Sequence, residues 1–345
     1  MPAPVTVGVV ANPASGRDIR RLVAGASVFD NAEKGNMVYR LMTGLAAVGV
    51  ERVLMMPAAS GLYERLEHTL HAARSSRKHH RLPELELIEM KVRHSARDTV
   101  HAVGVMGERD VSVIAVLGGD GTNRLVARHC DPDVPLCTLS TGTNNAFPEM
   151  REATVAGLAT GLVATGQVSG DGALRREKIL RVALNGEPDH DCALVDVAMS
   201  ASLFVGARAL WRAEDISEIV VTSARPDAVG LSSVAGLLDP VSRSAPHGLH
   251  VRLTAPDEAE TVLTVPIAPG LVVPVGVAEA NRVGPGEAVE LEPTAGSLAL
   301  DGEREIELGL SDEVEVRLDP EGPLTIDVGA VMREAARRGL LNGAP

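Results

Sequence analysis

The chain has 345 residues, 46 of them acidic and 33 basic, for a formal net charge of −13. A balance this acidic gives no electrostatic footing to a nucleic-acid or anionic-membrane partner, and an aromatic content of 2% supplies no base-stacking platform. A hydrophobic content of 45% is enough for two ordinary cores or one large one.

The opening "MPAPVTVGVVANPASG" has neither a basic n-region nor a long apolar run, so it does not read as a signal peptide. With no window of about 18 uninterrupted apolar residues, the expectation is a soluble cytoplasmic protein. The three cysteines, Cys130, Cys137 and Cys192, are odd in number and form no CxxC pair, which fits reduced thiols. His129 and Cys130 are adjacent, and adjacent helical residues point about 100° apart, so they do not read as a metal pair.

Val5 to Val10 is a β-branched strand ending at "ANPASG". Met37, Leu41, Leu45 and Val48 form a helical stripe closed by Gly49, and "ERVLMMP" follows as a second strand. Residues 61–75 read as a helix, and "ARSSRKHHR", with His79 and His80, as a basic solvated loop. "LELIEM" is a third strand, and Ser95 with Asp98 has capping-box spacing for a helix running through Val105. "VSVIAVL" is apolar on both faces, as a strand of a parallel sheet covered on both sides would be. "VPLCTL" is a fifth strand. Strands alternating with helices predict an α/β fold, a doubly wound parallel sheet. The pattern changes after Pro148. One more helix, "ATVAGLATGLVATG", precedes strand-like segments punctuated by Gly, Pro and Asp, which predict an antiparallel β domain. "SLFVGARALW" reads as a helix within it, and "VGAVMREAARRGLL" as a terminal amphipathic helix with Val331, Ala335 and Leu340 near one face.

Chemistry concentrates where strands end. "VLGGDGT" sets Gly118, Gly119, Gly121 and Thr122 around one carboxylate, Asp120. Glycines between a strand and a helix let backbone N–H groups close on an anion, usually phosphate. There is no Gly-Lys-Ser/Thr, so this is not a P-loop, and it is not GxGxxG. Asp120 would repel a phosphate unless it has another task. It can cap the helix, accept a proton from an attacking hydroxyl, or hold a magnesium ion bridging phosphate oxygens. The next strand ends at "LSTGTNNAF", which adds Ser140, Thr141, Gly142, Thr143, Asn144 and Asn145. The first strand adds Asn12, Pro13, Ser15 and Gly16 at the same sheet edge, where ligands of open α/β sheets bind. Asp301-Gly302 between "SLAL" and "REIEL" is a hairpin signal.

"GGDGT" followed by "STGTNNAF" resembles the superfamily of NAD kinases, diacylglycerol kinases and sphingosine kinases. "NPASG" is similar to its first-strand loop, "DCALVDVAMS" to its Ala-Leu-Asn-Glu segment, and "LALDGERE" to its Asp-Gly-Glu turn. The chain as a whole resembles the ATP-NAD-kinase-like branch that includes acetoin-catabolism protein X. That resemblance implies a nucleotide-binding domain over residues 1–147 and a mainly β, sandwich-like domain over 148–322. It also implies a segment 323–345 returning to the first domain, with the site in the cleft between the two. It implies ATP and Mg2+, NAD as substrate or ligand, and assembly into a homo-oligomer. Asp120 would be the base or the residue orienting the acceptor hydroxyl. Asn12, Pro13, Ser15, Gly16, Gly118, Gly119, Gly121, Thr122, Asn123, Thr141, Gly142, Thr143, Asn144 and Asn145 would meet the nucleotide. Asp196, Asp301, Gly302 and Glu303 would face the acceptor. Two departures stand out. Val195 lies where NAD kinases have Asn, with Asp196 in place of Glu, and "VTSARPDAVGLSSVAG" keeps only the later part of a second NAD-kinase segment. The expected activity is transfer of a phosphoryl group from ATP to a hydroxyl, with NAD as leading acceptor. The alternatives are a non-catalytic NAD- or ATP-binding accessory protein of an acetoin-type pathway and a lipid or polyol kinase.

Overall fold

The structure is a computed structural model and describes every residue except 1–3, 14–28, 59–60, 76–81, 143–144, 171, 203–211, 293–294 and 343–345. Strand and helix alternate through its first half: β1 (Thr6–Ala11), α1 (Asn31–Ala47), β2 (Arg52–Met55), α2 (Leu62–Ser75), β3 (Glu84–Leu87), α3 (Ala96–Glu108), β4 (Val113–Gly118), α4 (Asp120–His129), β5 (Leu136–Ser140) and α5 (Ala153–Ala164). The strands are parallel in the order β3-β2-β1-β4-β5, so the winding reverses between β1 and β4. The period-two alternation of apolar residues builds both cores. Val7 and Val9 of β1 and Val113, Ala115 and Leu117 of β4 pack with α1, α2 and α5. Val10, Ile114 and Val116 face the other way, onto α3 and α4. At α3 the Asp98 carboxylate accepts from the Ser95 amide at 3.2 Å, as the spacing predicts.

The chain then makes β6 (Leu174–Arg176), β7 (Ile179–Leu184), β8 (Glu187–Ala193), β9 (Asp196–Ser200), β10 (Ile216–Val221), α6 (Ser232–Leu238), β11 (Gly248–Thr254), β12 (Thr261–Ala268), β13 (Leu271–Val283), β14 (Ala288–Leu291), β15 (Gly296–Leu300), β16 (Glu303–Leu308) and β17 (Val314–Asp319). Two antiparallel sheets result, β12-β13-β11-β10-β9-β15-β16 and β14-β17-β7-β8. They share a core in which Leu180, Val182 and Val316 of the smaller sheet meet Val197, Met199, Leu298 and Leu300 of the larger. Two sheets that bury their apolar faces against each other in this way form a sandwich. Helix α6 covers the opposite face of the larger sheet through Val234 and Ala235. The helix expected at "SLFVGARALW" lies almost wholly outside the described residues.

The last elements, β18 (Leu324–Ile326) and α7 (Val328–Arg338), return to the first sheet. β18 runs parallel to β5 and antiparallel to β6. Asp327 caps α7 by accepting from the Ala330 amide at 2.8 Å, Gly339 ends it at φ 66°, and Val331 and Ala335 enter the first core. Helix α5 also packs in that core, against α1. Among the described residues no helix is long and apolar enough to cross a membrane.

Contact between α1 and α5 depends on Gly157, where an added Cβ would collide with the Leu41 carbonyl oxygen. Gly157→Ala is expected to cost about 1–3 kcal/mol by overpacking. Exposed Gly104 of α3, with nothing within 4 Å of an added Cβ, makes the opposite case: Gly104→Ala should gain roughly 0.5–1 kcal/mol of helix stability. Urea unfolding of the two variants checks both signs.

Candidate functional site in the cleft between the domains

The site begins at the winding reversal between β1 and β4. The backbone leaves β4 at Gly118 and enters α4 after Gly119, which is extended at φ −93°, ψ −171° and offers no capping side chain. The first turn of α4, which includes Gly121 and Thr122, therefore has no N-cap side chain to serve its amides. Close approaches explain the other glycines. A Cβ at Gly118 would lie 2.6 Å from Cβ of Thr122, and one at Gly119 would lie 2.9 Å from Oδ1 of Asn145. Asn12 ties the two loops together: its amide N–H bonds the Leu117 carbonyl at 3.1 Å, and its Nδ2 donates to Oγ1 of Thr122 at 2.9 Å. Lys34 of α1, 1% exposed, donates to the Asn12 carbonyl at 3.1 Å. The Asn123 side chain turns back on the Gly119 carbonyl at 2.8 Å.

Asp120 is the first helical residue and does not cap α4. Its carboxylate accepts from the Ala146 amide at 3.0 and 3.1 Å and from the Phe147 amide at 2.8 Å, so the loop after β5 fixes its orientation. That loop is folded on itself. Asn145 Nδ2 donates to Oγ of Ser140 at 2.8 Å, and Ser140 donates to the Gly142 carbonyl at 2.7 Å. The Thr141 carbonyl accepts from the Phe29 amide at 3.1 Å, which leads the chain into α1. Pro13 ends the described part of the first loop; Ser15, Gly16, Thr143 and Asn144 lie outside the described residues.

From the second domain, the β15–β16 hairpin comes down on α4. Asp301 at φ 52° and Gly302 at φ 76° make the two-residue turn the sequence predicts, with Leu300 paired to Glu303. Glu303 reaches the loop, its carboxylate 3.8–3.9 Å from a Cβ position on Gly121. Asp301 and Asp196 correct the expectation that they face an acceptor. The Asp301 side chain is fully buried and accepts from the amides of Val195 at 2.7 Å and Leu194 at 2.9 Å. Asp196 accepts from the Gly302 amide at 3.2 Å. A carboxylate that closes a β-turn this way is committed to the backbone, so the pair anchors the hairpin.

Arg124, four residues after Asp120 on α4, meets that anchor. It is 5% exposed, bonds Oε1 of Glu305 at 2.9 Å, and lies 3.8 Å from Asp301 and 3.5 Å from Asp191. Burial works against its charge, yet Asp301, Asp191 and Glu305 together raise its pKa above the ordinary arginine value. Burial pushes the Asp301 carboxyl upward, opposed by Arg124 and by the three amides it accepts from. Arg128 pairs with the same Asp191 at the rim.

Between the domains lies a small open cleft lined by Ala146, Phe147, Glu177, Lys178, Leu194, Val195, Thr222, Ser223 and Arg243. Thr222 and Ser223 fall within "VTSARPDAVGLSSVAG", whereas Glu177, Lys178 and Arg243 belong to no sequence motif. Phe147 joins this cleft to Asp120. Its amide serves the carboxylate, its carbonyl accepts from Nη1 of Arg243 at 3.0 Å, and its ring lies 4.5 Å beneath the guanidinium. Arg243 Nε donates to Glu177 at 3.0 Å, and Lys178 donates to the carbonyls of His247 at 2.6 Å and Ser242 at 3.2 Å. Burial lowers the Lys178 pKa to about 8, partly offset by Glu177. Arg124 could have been suspected from its i+4 spacing to Asp120. Lys178 and Arg243, 65 residues apart in sequence, meet only through the fold.

Two outcomes are expected. Arg124→Ala leaves buried carboxylates without their cation and should cost roughly 3 kcal/mol or more in urea unfolding. Lys178 stays protonated in the unfolded chain up to its ordinary 10.5 but loses its proton near 8 when folded. The unfolded state therefore binds more protons between those values, and stability should rise with pH across that window. Lys178→Met should abolish the rise.

Comparison with known proteins follows the same division. Residues 7–168 match the model of the ATP-NAD kinase N-terminal domain, and residues 178–321 match that of the acetoin catabolism protein X C-terminal domain. The chain is 46% identical over 346 residues to acetoin catabolism protein X of Cupriavidus necator, covering 99% of this chain and 95% of that one. A solved NAD kinase from Archaeoglobus fulgidus in complex with ATP aligns with 98% of this chain and 100% of its own, at 14% identity and a TM-score of 0.39. An N-terminal domain of the ATP-NAD kinase type, joined to this particular sandwich and matched along its whole length, makes the chain a member of the acetoin catabolism protein X family.

Proposed function

We propose that the protein is an ATP-dependent phosphotransferase that acts on a hydroxyl bound in the cleft between its domains. The observation that carries this reading is Asp120: a carboxylate oriented by two amides beside an uncapped helix N-terminus. The first-turn amides of α4 seat the nucleotide phosphates, while Asp120 orients the acceptor hydroxyl and takes its proton. The hydroxyl oxygen attacks the γ-phosphorus, the bond from that phosphorus to the bridging oxygen breaks, and ADP leaves.

Among the described residues no group of three metal-ligating side chains occurs. Magnesium held mainly by nucleotide phosphates needs only one or two protein carboxylates, and Asp120 and Glu303, both at this loop, fit that demand. The ion would supply neutralisation of the phosphate charge. NAD is the first acceptor to test, since residues 7–168 match a model named for ATP-NAD kinases.

A second reading, a nucleotide-binding accessory protein of an acetoin-type pathway, draws on one departure. Val195, at the cleft where NAD kinases have a polar residue, offers no side-chain hydrogen bond to a nucleoside.

Asp120→Asn should keep the fold and lower turnover by about 10²- to 10⁴-fold, the usual contribution of a positioned base. Phosphoryl transfer from labelled ATP measures it. Calorimetry with ATP and NAD accompanies the assay, and tight binding with no phosphorylated product after long incubation would favour the accessory role.

A further inference from the structure

We propose that the cleft contains an oxyanion subsite at Lys178 and Arg243, and that it takes the carboxylate of a small hydroxycarboxylic acid whose hydroxyl is presented to Asp120. The subsite stands on its own geometry; the fate of the hydroxyl rests on the phosphotransferase reading above.

Charge is the first argument. In a chain of net charge −13, this cleft is lined by two cations and one carboxylate. That carboxylate, Glu177, pairs with Arg243 at 3.0 Å and lies 4.0 Å from Arg175, so the lining keeps a surplus of one positive charge. The local surplus matches one negative charge, a carboxylate, better than the double charge of a phosphate monoester.

Unspent donors are the second. Lys178 has three N–H groups and gives two of them to carbonyls. The Nη2 of Arg243 is buried and has no hydrogen-bond acceptor among the described residues. A guanidinium nitrogen left this way is incomplete without an acceptor, and a carboxylate is its natural partner.

Position is the third. Phe147, Leu194 and Val195 offer an apolar wall to a short carbon skeleton. Because Phe147 binds Asp120 at its amide and Arg243 at its carbonyl, the proposed subsite and the carboxylate stand one residue apart. A short acid anchored at Arg243 can thus bring its own hydroxyl towards Asp120. In the transfer the hydroxyl oxygen gains phosphorus, ATP loses its γ-phosphoryl group as ADP forms, and the hydroxyl proton passes to Asp120.

The test is calorimetry on the full chain with glycerate and 3-hydroxypropionate, beside glycerol, glycerol 3-phosphate and NAD. The expected result is binding of a hydroxycarboxylate at least about tenfold tighter than glycerol, with Arg243→Gln and Lys178→Gln each losing about that factor. Arg243→Lys should recover part of it, and ATP binding in each variant reports that the first domain is folded. Hydroxycarboxylates that bind no better than glycerol, or not at all at millimolar concentration, overturn the proposal. Binding unchanged in both Gln variants, or a preference for glycerol 3-phosphate or NAD, overturns it as well. Labelled ATP separates the two readings. Arg243-dependent carboxylate binding without transfer leaves the subsite and removes the phosphotransferase. Transfer to NAD without any carboxylate preference does the reverse.

Discussion

Arg124 is the charge on which the two halves of the molecule meet. It stands on the helix that opens with Gly121 and Thr122, and it is buried among Asp191, Asp301 and Glu305 of the second domain. A guanidinium withdrawn from water in this way is tolerated only when acceptors surround it. Those acceptors come from two places, the end of β8 and the β15–β16 hairpin, so placing Arg124 places both. The hairpin is rigid where it meets α4, because Asp301 holds the amides of Leu194 and Val195 while Asp196 holds that of Gly302. Glu303 reaches Gly121 as a consequence of this arrangement.

The same economy operates around Asp120. The carboxylate is oriented by the loop after β5, and the residue that closes this contact, Phe147, also seats Arg243 from the second domain. The Asp120 carboxylate and the cleft wall are therefore parts of one hydrogen-bonded unit that crosses the domain boundary. This accounts for the position of the cleft, beside the loop that follows β5 and beneath the sandwich. Open α/β sheets receive ligands outside the carboxyl ends of their strands.

The second domain contributes more than a lid. Its first strand begins immediately after Glu177 and Lys178, and the chain comes back through β18 to lie between β5 and β6. Thr325 of β18 donates to Glu177 at 2.6 Å, which links the returning strand to the acid that holds Arg243. The cleft thus depends on chain crossings in both directions, a stronger constraint on its shape than a flexible linker would impose.

What the sequence determined by itself was whatever local chemistry enforces. Period-two apolar runs specified the strands, the 3.6-residue stripe specified α1 and α7, and Asp301-Gly302 specified its turn through two positive φ angles. The glycine loop likewise specified a tight strand-to-helix turn with a carboxylate at the head of the helix. Tertiary structure alone decided the rest. Asp301 and Asp196 looked like acceptor residues, yet their partners are amides more than a hundred residues away, and only the folded register shows that those amides claim them. Lys178 and Arg243 belong to no motif, because their proximity is produced by the fold and not by spacing along the chain. Local propensity can specify a turn or a strand. The sum of charges in a cleft depends on which distant side chains the two cores bring to one surface.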